Sequence, residues 1–362
     1  MYMQGSTASV KKDYENIDKH RCGLFNWTPQ FLQKFKNPKC FVFFFCLILL
    51  FKDSSGIILI LTKIQITDKI MTSNFEYQMI SAISNFGAIP VFFIAPFVDF
   101  FPKKTVWIFI GILICASGLL ITALPGMAST SPDPKTAYNI MLAGYFTFGL
   151  GSTTATFLAI AYIDNNSDKS ISPILIGITM AAMILAQVLG AGVAHIIKVN
   201  YKSGDEVDSV LDQPWWAGFF INAAGQFLLA PLIVLFPTRM SVEVEEDQDD
   251  RPEIIATYRN YGQQLRRVLT TPIFVLSLLA YILCMAVTMG FRTNLMALVE
   301  HVYNRDDADP LVSLSVGLLI GCSALTMAAA AWVITRCRFQ VKRKAFISLG
   351  AVAHSPYFSS EI

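Results

Sequence analysis

The sequence predicts an all-α polytopic membrane protein, and three observations carry that prediction. Of 362 residues, 54% are hydrophobic and only 15% charged, where a soluble domain carries about 25% charge. Apolar runs long enough to cross a bilayer recur along the chain. Basic residues are unevenly shared between the segments that connect those runs. The net charge of +2 points to no nucleic-acid partner. The partner that the composition names is the lipid bilayer.

The elements follow in order. Residues 1–39 are polar and lack the apolar core of a cleavable signal, so they are expected to stay in the cytosol. Apolar spans are expected at about 40–62, 78–98, 106–124, 138–163, 173–197, 215–236, 272–298 and 311–335. Between spans two and three lies Asp99-Phe100-Phe101-Pro102-Lys103-Lys104, an acidic residue followed by a basic pair. With the N-terminus inside, twenty of the 28 basic residues fall in cytosolic segments and six outside, leaving Lys52 and Arg292 within spans. That asymmetry obeys the positive-inside rule and makes the protein a multi-pass one with a cytosolic N-terminus. All seven cysteines fall in cytosolic or membrane segments, so no structural disulfide is expected.

Six spans, a long polar segment and then further spans form the layout of a major facilitator transporter. The reading divides the chain into a cytosolic segment 1–39, a six-helix transmembrane half 40–236, a linker 237–271, a partial second half 272–344 with two helices, and a tail 345–362. The linker opens on the acidic run Glu243 to Asp250. Ile254, Ile255, Tyr258, Tyr261, Leu265, Val268 and Leu269 then recur at helical spacing, as in a helix lying at the cytosolic interface.

Charged residues inside spans are the candidate functional groups, because each costs about 2.5–3.5 kcal/mol at a span centre. Lys52 and Asp53 are neighbours, so their side chains leave a helix about 100° apart and are expected to pair poorly. Two readings stay open: both residues face a hydrated cavity, or Lys52-Asp53-Ser54-Ser55-Gly56 breaks the first span. Arg292 in span seven is the expected partner for Asp53, or a second cation for an anionic substrate. Trp215 and Trp216 fall at an external boundary. They serve either as headgroup anchors or as contacts for an amphipathic substrate. His301 and Asp306 fit a His-x4-Asp pattern but sit in a loop of about a dozen residues. With no metal cluster, phosphate loop, nucleophile elbow or cofactor motif, an enzyme is not expected.

One stretch carries a resemblance. Gly149-Leu150-Gly151, Tyr162-Ile163-Asp164 and Ser172-Pro173 through Gly177 resemble the fourth and fifth transmembrane helices of the organic anion transporting polypeptides. In that family the pattern reads roughly Gly-x-Gly-x-x-Pro, Tyr-Ile-Asp-Asp and Ser-Pro-x-x-x-Gly; Thr154 and Asn165 depart from it. Asp212-Gln213-Pro214-Trp215-Trp216-Ala217-Gly218-Phe219-Phe220 keeps the Asp, Trp pair, Gly and Phe of the family's signature before helix six. The lead-in from Thr28-Pro29 through Leu32-Gln33 and Phe35 to Pro38-Lys39 is also similar.

The resemblance implies a major facilitator fold. It also implies sodium-independent, alternating-access transport of large amphipathic organic anions at the plasma membrane: steroid conjugates, bile-acid-like molecules, eicosanoids or thyroid-hormone-like molecules. Lys52, Arg292, Trp215 and Trp216 would bind the substrate, and no cofactor is implied. Where the family commonly has His after Ala-Leu-Pro, this chain has Gly126, so proton coupling through that His has no counterpart here. The tail from His354 to Ile362 does not resemble the family. The sequence therefore reads as a C-terminally truncated member, expected to show no uptake when expressed alone. The alternative function is that of a non-transporting membrane protein or a regulatory partner of a full-length relative.

Overall fold

The computed structural model describes residues 29–70, 74–94, 103–128, 133–168, 171–201 and 214–237, Met240, and parts of 262–286. Expected spans seven and eight lie largely outside the described residues, and Arg292 and the acidic run lie wholly outside them. Of the expected interfacial helix, Leu265, Arg266, Arg267 and Leu269 are described; they are helical and exposed.

Among the described residues the elements are helices: α1 (Gln30–Gln33), α2 (Pro38–Leu61), α3 (Lys63–Ile70), α4 (Asn74–Phe86), α5 (Ile89–Ile94), α6 (Lys104–Met127), α7 (Pro134–Asn166), α8 (Ser172–Tyr201) and α9 (Ala217–Val234). Five of them are long and apolar enough to cross a membrane: α2, α6, α7, α8 as far as Ile197, and α9. They correspond to expected spans one, three, four, five and six.

Local chemistry explains the boundaries. Asn37 caps α2 by accepting a hydrogen bond from the Lys39 backbone N–H at 2.9 Å, with Pro38 in the first helical turn. The polar run from Lys52 to Gly56 does not break α2, which corrects one of the two open readings. Ser54 and Ser55 donate their hydroxyls to the carbonyls of Phe51 and Lys52, at 3.0 and 2.7 Å, so the polar atoms are satisfied within the helix. Thr62 donates to the Ile58 carbonyl at 2.8 Å, and the chain continues through it into α3, past the expected end of span one. Span two, expected as one run, is instead α4 and α5 separated by a turn at Gly87-Ala88. There Gly87 presses against α7, and a side-chain carbon would lie 2.5 Å from the Phe146 carbonyl oxygen.

With the spans numbered one to six along the chain, the close pairs are one–five, one–six, three–six, three–four and two–four. Exchanging one with four, two with five and three with six carries this set onto itself. Two three-helix repeats nested in a six-helix half produce that symmetry.

Small residues permit the tightest pair. Gly111, Cys115, Gly118 and Thr122 on α6 meet Ala155, Gly151, Phe148 and Gly144 on α7, in antiparallel order. In lipid, where apolar surface gives helices no hydrophobic drive to associate, such close backbone approach supplies the packing energy.

The interior has three levels. One apolar cluster, with Phe41, Phe45, Ile108, Tyr162 and Ile233, fills the end where α2 begins. A second, with Ile58, Tyr77, Leu119, Met141, Trp215 and Phe219, fills the opposite end. Between them the buried residues turn polar: Lys52, Ser54 and Ser55 on α2 and Gln226 on α9.

Candidate functional site

Lys52 is the centre of that middle layer. Its side chain is only 2% exposed, and its ammonium group crosses from α2 to α7, donating to Ser152 Oγ at 2.9 Å and Thr156 Oγ1 at 3.1 Å. Ser152 and Thr156 stand four apart on one face of α7, and Thr156 also donates to the Ser152 carbonyl at 2.8 Å. Only a few residues of spans one and four approach each other otherwise. Lys52 bridges the two helices that the internal symmetry exchanges.

The expectation that Lys52 and Asp53 pair poorly is corrected: Lys52 Nζ lies 3.0 Å from Asp53 Oδ1. Adjacent side chains diverge at their Cβ atoms, but the four-carbon lysine stem is flexible enough to curl back over that angle. Asp53, 17% exposed, is thus supplied with a cation by its own neighbour. Its expected pairing with Arg292 falls outside the described residues.

Sequence reading missed Ser152, Thr156, Asn222 and Gln226. The last two are amides one turn apart in an otherwise apolar span, both buried, with Gln226 donating to the Asn222 carbonyl at 3.3 Å. Hydroxyls or amides spaced at i and i+4 within apolar helices were the available signal.

Trp215 and Trp216 lie at the end of the bundle opposite the start of α2. Trp215 is 4% exposed and packs edge-on to Phe219 in the second apolar cluster, while half-buried Trp216 stands edge-on to Phe220 on the exposed side of α9. Both indoles rest against Gly126, where a side-chain carbon would fall 2.5 Å from the Trp216 ring. Gly126 therefore makes room for the Trp pair.

The residues that carry the resemblance close the opposite end. Ser172 donates to Asp164 Oδ1 at 2.6 Å, pinning the start of α8 to the end of α7. Tyr162 donates its hydroxyl to the Pro237 carbonyl at 2.5 Å, and Asn166 Oδ1 accepts from the Met240 N–H at 2.8 Å. The Phe236 ring stands edge-on to Phe41 at 5.4 Å. The first residues after α9 are thus strapped to the end of α7.

A six-helix bundle of nested repeats with a polar layer at mid-depth defines the class: the chain is a polytopic membrane protein of the major facilitator fold. Its structure is similar to that of a crystallised D-xylose-proton symporter, with a TM-score of 0.57 at 13% identity over 82% of this chain and 68% of that one. It is likewise similar to a partially occluded, inward-open xylose transporter from E. coli, with a TM-score of 0.52 at 13% identity over 81% and 72%. At these identities the likeness concerns the fold.

The model of the Organic Anion Transporter Polypeptide (OATP) family matches residues 128–359, and the chain belongs to that family. It is 24% identical to solute carrier organic anion transporter family member 4A1 of Mus musculus, over 72% of this chain and 43% of the relative. It is 22% identical to member 4C1 of Rattus norvegicus, over 79% and 46%. The chain spans about half the length of these curated relatives. The relatives are transporters, and the chain is not an enzyme.

Proposed function

We propose that this protein moves large amphipathic organic anions, without sodium, across the plasma membrane by alternating access. The substrate class rests on the family and on the names of relatives that are organic anion transporters. The observation that carries the reading to this chain's own residues is Lys52, a cation at mid-depth between spans one and four. In a low-dielectric interior a positive charge is costly unless paired, and here one carboxylate and two hydroxyls pair it. An incoming carboxylate, sulfate or glucuronide would compete with Asp53 for the ammonium group. Asp53, the more exposed partner, would turn toward solvent as the anion arrived. Arg292 would supply a second cation from the other half, and apolar walls would hold the steroid or lipid-like body. Trp215 and Trp216 suit an anchoring role at the external headgroup level better than direct contact with substrate.

The test is uptake of a labelled steroid sulfate by cells expressing the chain, with surface delivery measured in the same cells. Saturable uptake supports transport. Vector-level uptake by delivered protein would leave the non-transporting or regulatory reading.

A further inference from the structure

An open cavity of about 300 Å³ lies at the end of the bundle where the chain enters α2. Its wall comes from three places: Lys36, Pro38 and Lys39 before and within the first turn of α2; Ser167, Asp168 and Ile171 between α7 and α8; and Met240 from the strapped segment after α9. Such a volume is at the lower end of small-molecule sites.

The chemistry of that wall is specific. Lys36 and Lys39 on one side and Asp168 on the other have no ion-pair partner among the described residues. Ser167 Oγ is buried without a hydrogen bond, also among the described residues. The N-terminus of α2 makes no demand here, because Asn37 already caps it. Unpaired charges of both signs with an unused hydroxyl fit a ligand that is itself a zwitterion. Pro38, Ile171 and Met240 give the same cavity an apolar rim.

Its height completes the argument. α2 is 24 residues long, or about 36 Å, which exceeds the ~30 Å of a hydrocarbon core, so the first turn beside the cavity is expected at the bilayer boundary. That is headgroup level, where paired lysines meet lipid phosphate.

We propose that this cavity binds the headgroup of a phosphatidylethanolamine-type lipid. Lys36 and Lys39 hold the phosphate, Asp168 receives the primary ammonium, and the acyl chains leave over the apolar rim. Phosphatidylcholine offers the same phosphate but a quaternary ammonium with no N–H to donate, so Asp168 discriminates between the two. The site is independent of what the protein transports.

Native mass spectrometry of the full chain, released from bilayers of equimolar phosphatidylethanolamine and phosphatidylcholine, tests this. The expected result is preferential retention of phosphatidylethanolamine. Asp168→Asn lowers that preference about fivefold, the weight of one partly exposed ion pair, while total phospholipid retained stays the same. Lys36→Ala and Lys39→Ala each lower retention of both lipids about fivefold. These positions are exposed or half-buried, so the variants fold, and circular dichroism confirms it. Equal retention of the two lipids by the unaltered chain would overturn the proposal, as would an unchanged preference in Asp168→Asn. Binding of soluble glycerophosphoethanolamine as tightly as the lipid itself would overturn it too, assigning the cavity to a free phosphoester.

Discussion

Gly149 and Gly151 stand two residues apart on α7 and face opposite neighbours. A side-chain carbon on Gly149 would run into the backbone of Ser84 on α4, and one on Gly151 into the backbone of Gly111 and Cys115 on α6. Two residues turn a helix by about 200°, so a Gly-x-Gly pair lets one span be gripped from both sides. Gly149→Ala and Gly151→Ala are each expected to cost about 1–3 kcal/mol through overpacking. Gly192, with open space around it, is the control: Gly192→Ala should be neutral or slightly stabilising. Thermal unfolding of the purified chain reads all three.

That pair shows how far the sequence was legible. Long apolar runs announced spans one, three, four, five and six, because length and hydropathy are one-dimensional properties. Span two was misread as continuous because its local break signal, Gly87 followed by Pro90 at the start of α5, was passed over within an apolar run. What the sequence hides is the neighbour at the break, the Phe146 carbonyl. Lys52 was legible as a costly residue but its partners were not. Ser152 and Thr156 lie 100 and 104 residues away in sequence, and only folding brings them to the ammonium. The strap from Tyr162 and Asn166 to Pro237 and Met240 was likewise hidden, since it binds backbone atoms rather than side chains.

Removing only the cation at position 52 leaves Asp53 without its neighbouring partner. Lys52→Met is expected to destabilise the fold by less than the about 3–5 kcal/mol typical of a fully buried broken pair, because Asp53 keeps 17% exposure. Lys52→Met combined with Asp53→Asn should recover most of that loss. Melting temperatures of the single and double variants check the sign and the recovery.

The strap after α9 makes a separate prediction. Met240 is 9% exposed while Asn166 holds its backbone. Asn166→Ala in a Met240→Cys background should raise the rate of thiol labelling about fivefold, the population change that follows from losing one hydrogen bond of about 1 kcal/mol. Tyr162→Phe should act in the same direction by freeing the Pro237 carbonyl. An unchanged labelling rate in both would show that the segment is held by Phe236 packing alone.

Orientation follows from the charge asymmetry. Epitopes placed at the N-terminus and within 237–271 should be reached only after cells are permeabilised. One placed within 199–214 should be reached in intact cells. Surface labelling of the 237–271 epitope would invert the proposed topology.

The central claim is that Lys52 presents the cation around which an organic anion is carried. Its most direct test is uptake of a labelled steroid sulfate by surface-delivered unaltered chain and by the Lys52→Met, Asp53→Asn double variant. The sequence reading expects no uptake by this chain alone. With the cation and its partners in place within the first six spans, the account instead predicts saturable uptake that persists when sodium is replaced by choline and falls about tenfold in the double variant, a difference of about 1.4 kcal/mol. Vector-level uptake by the delivered unaltered chain, or full uptake by the double variant, would contradict it.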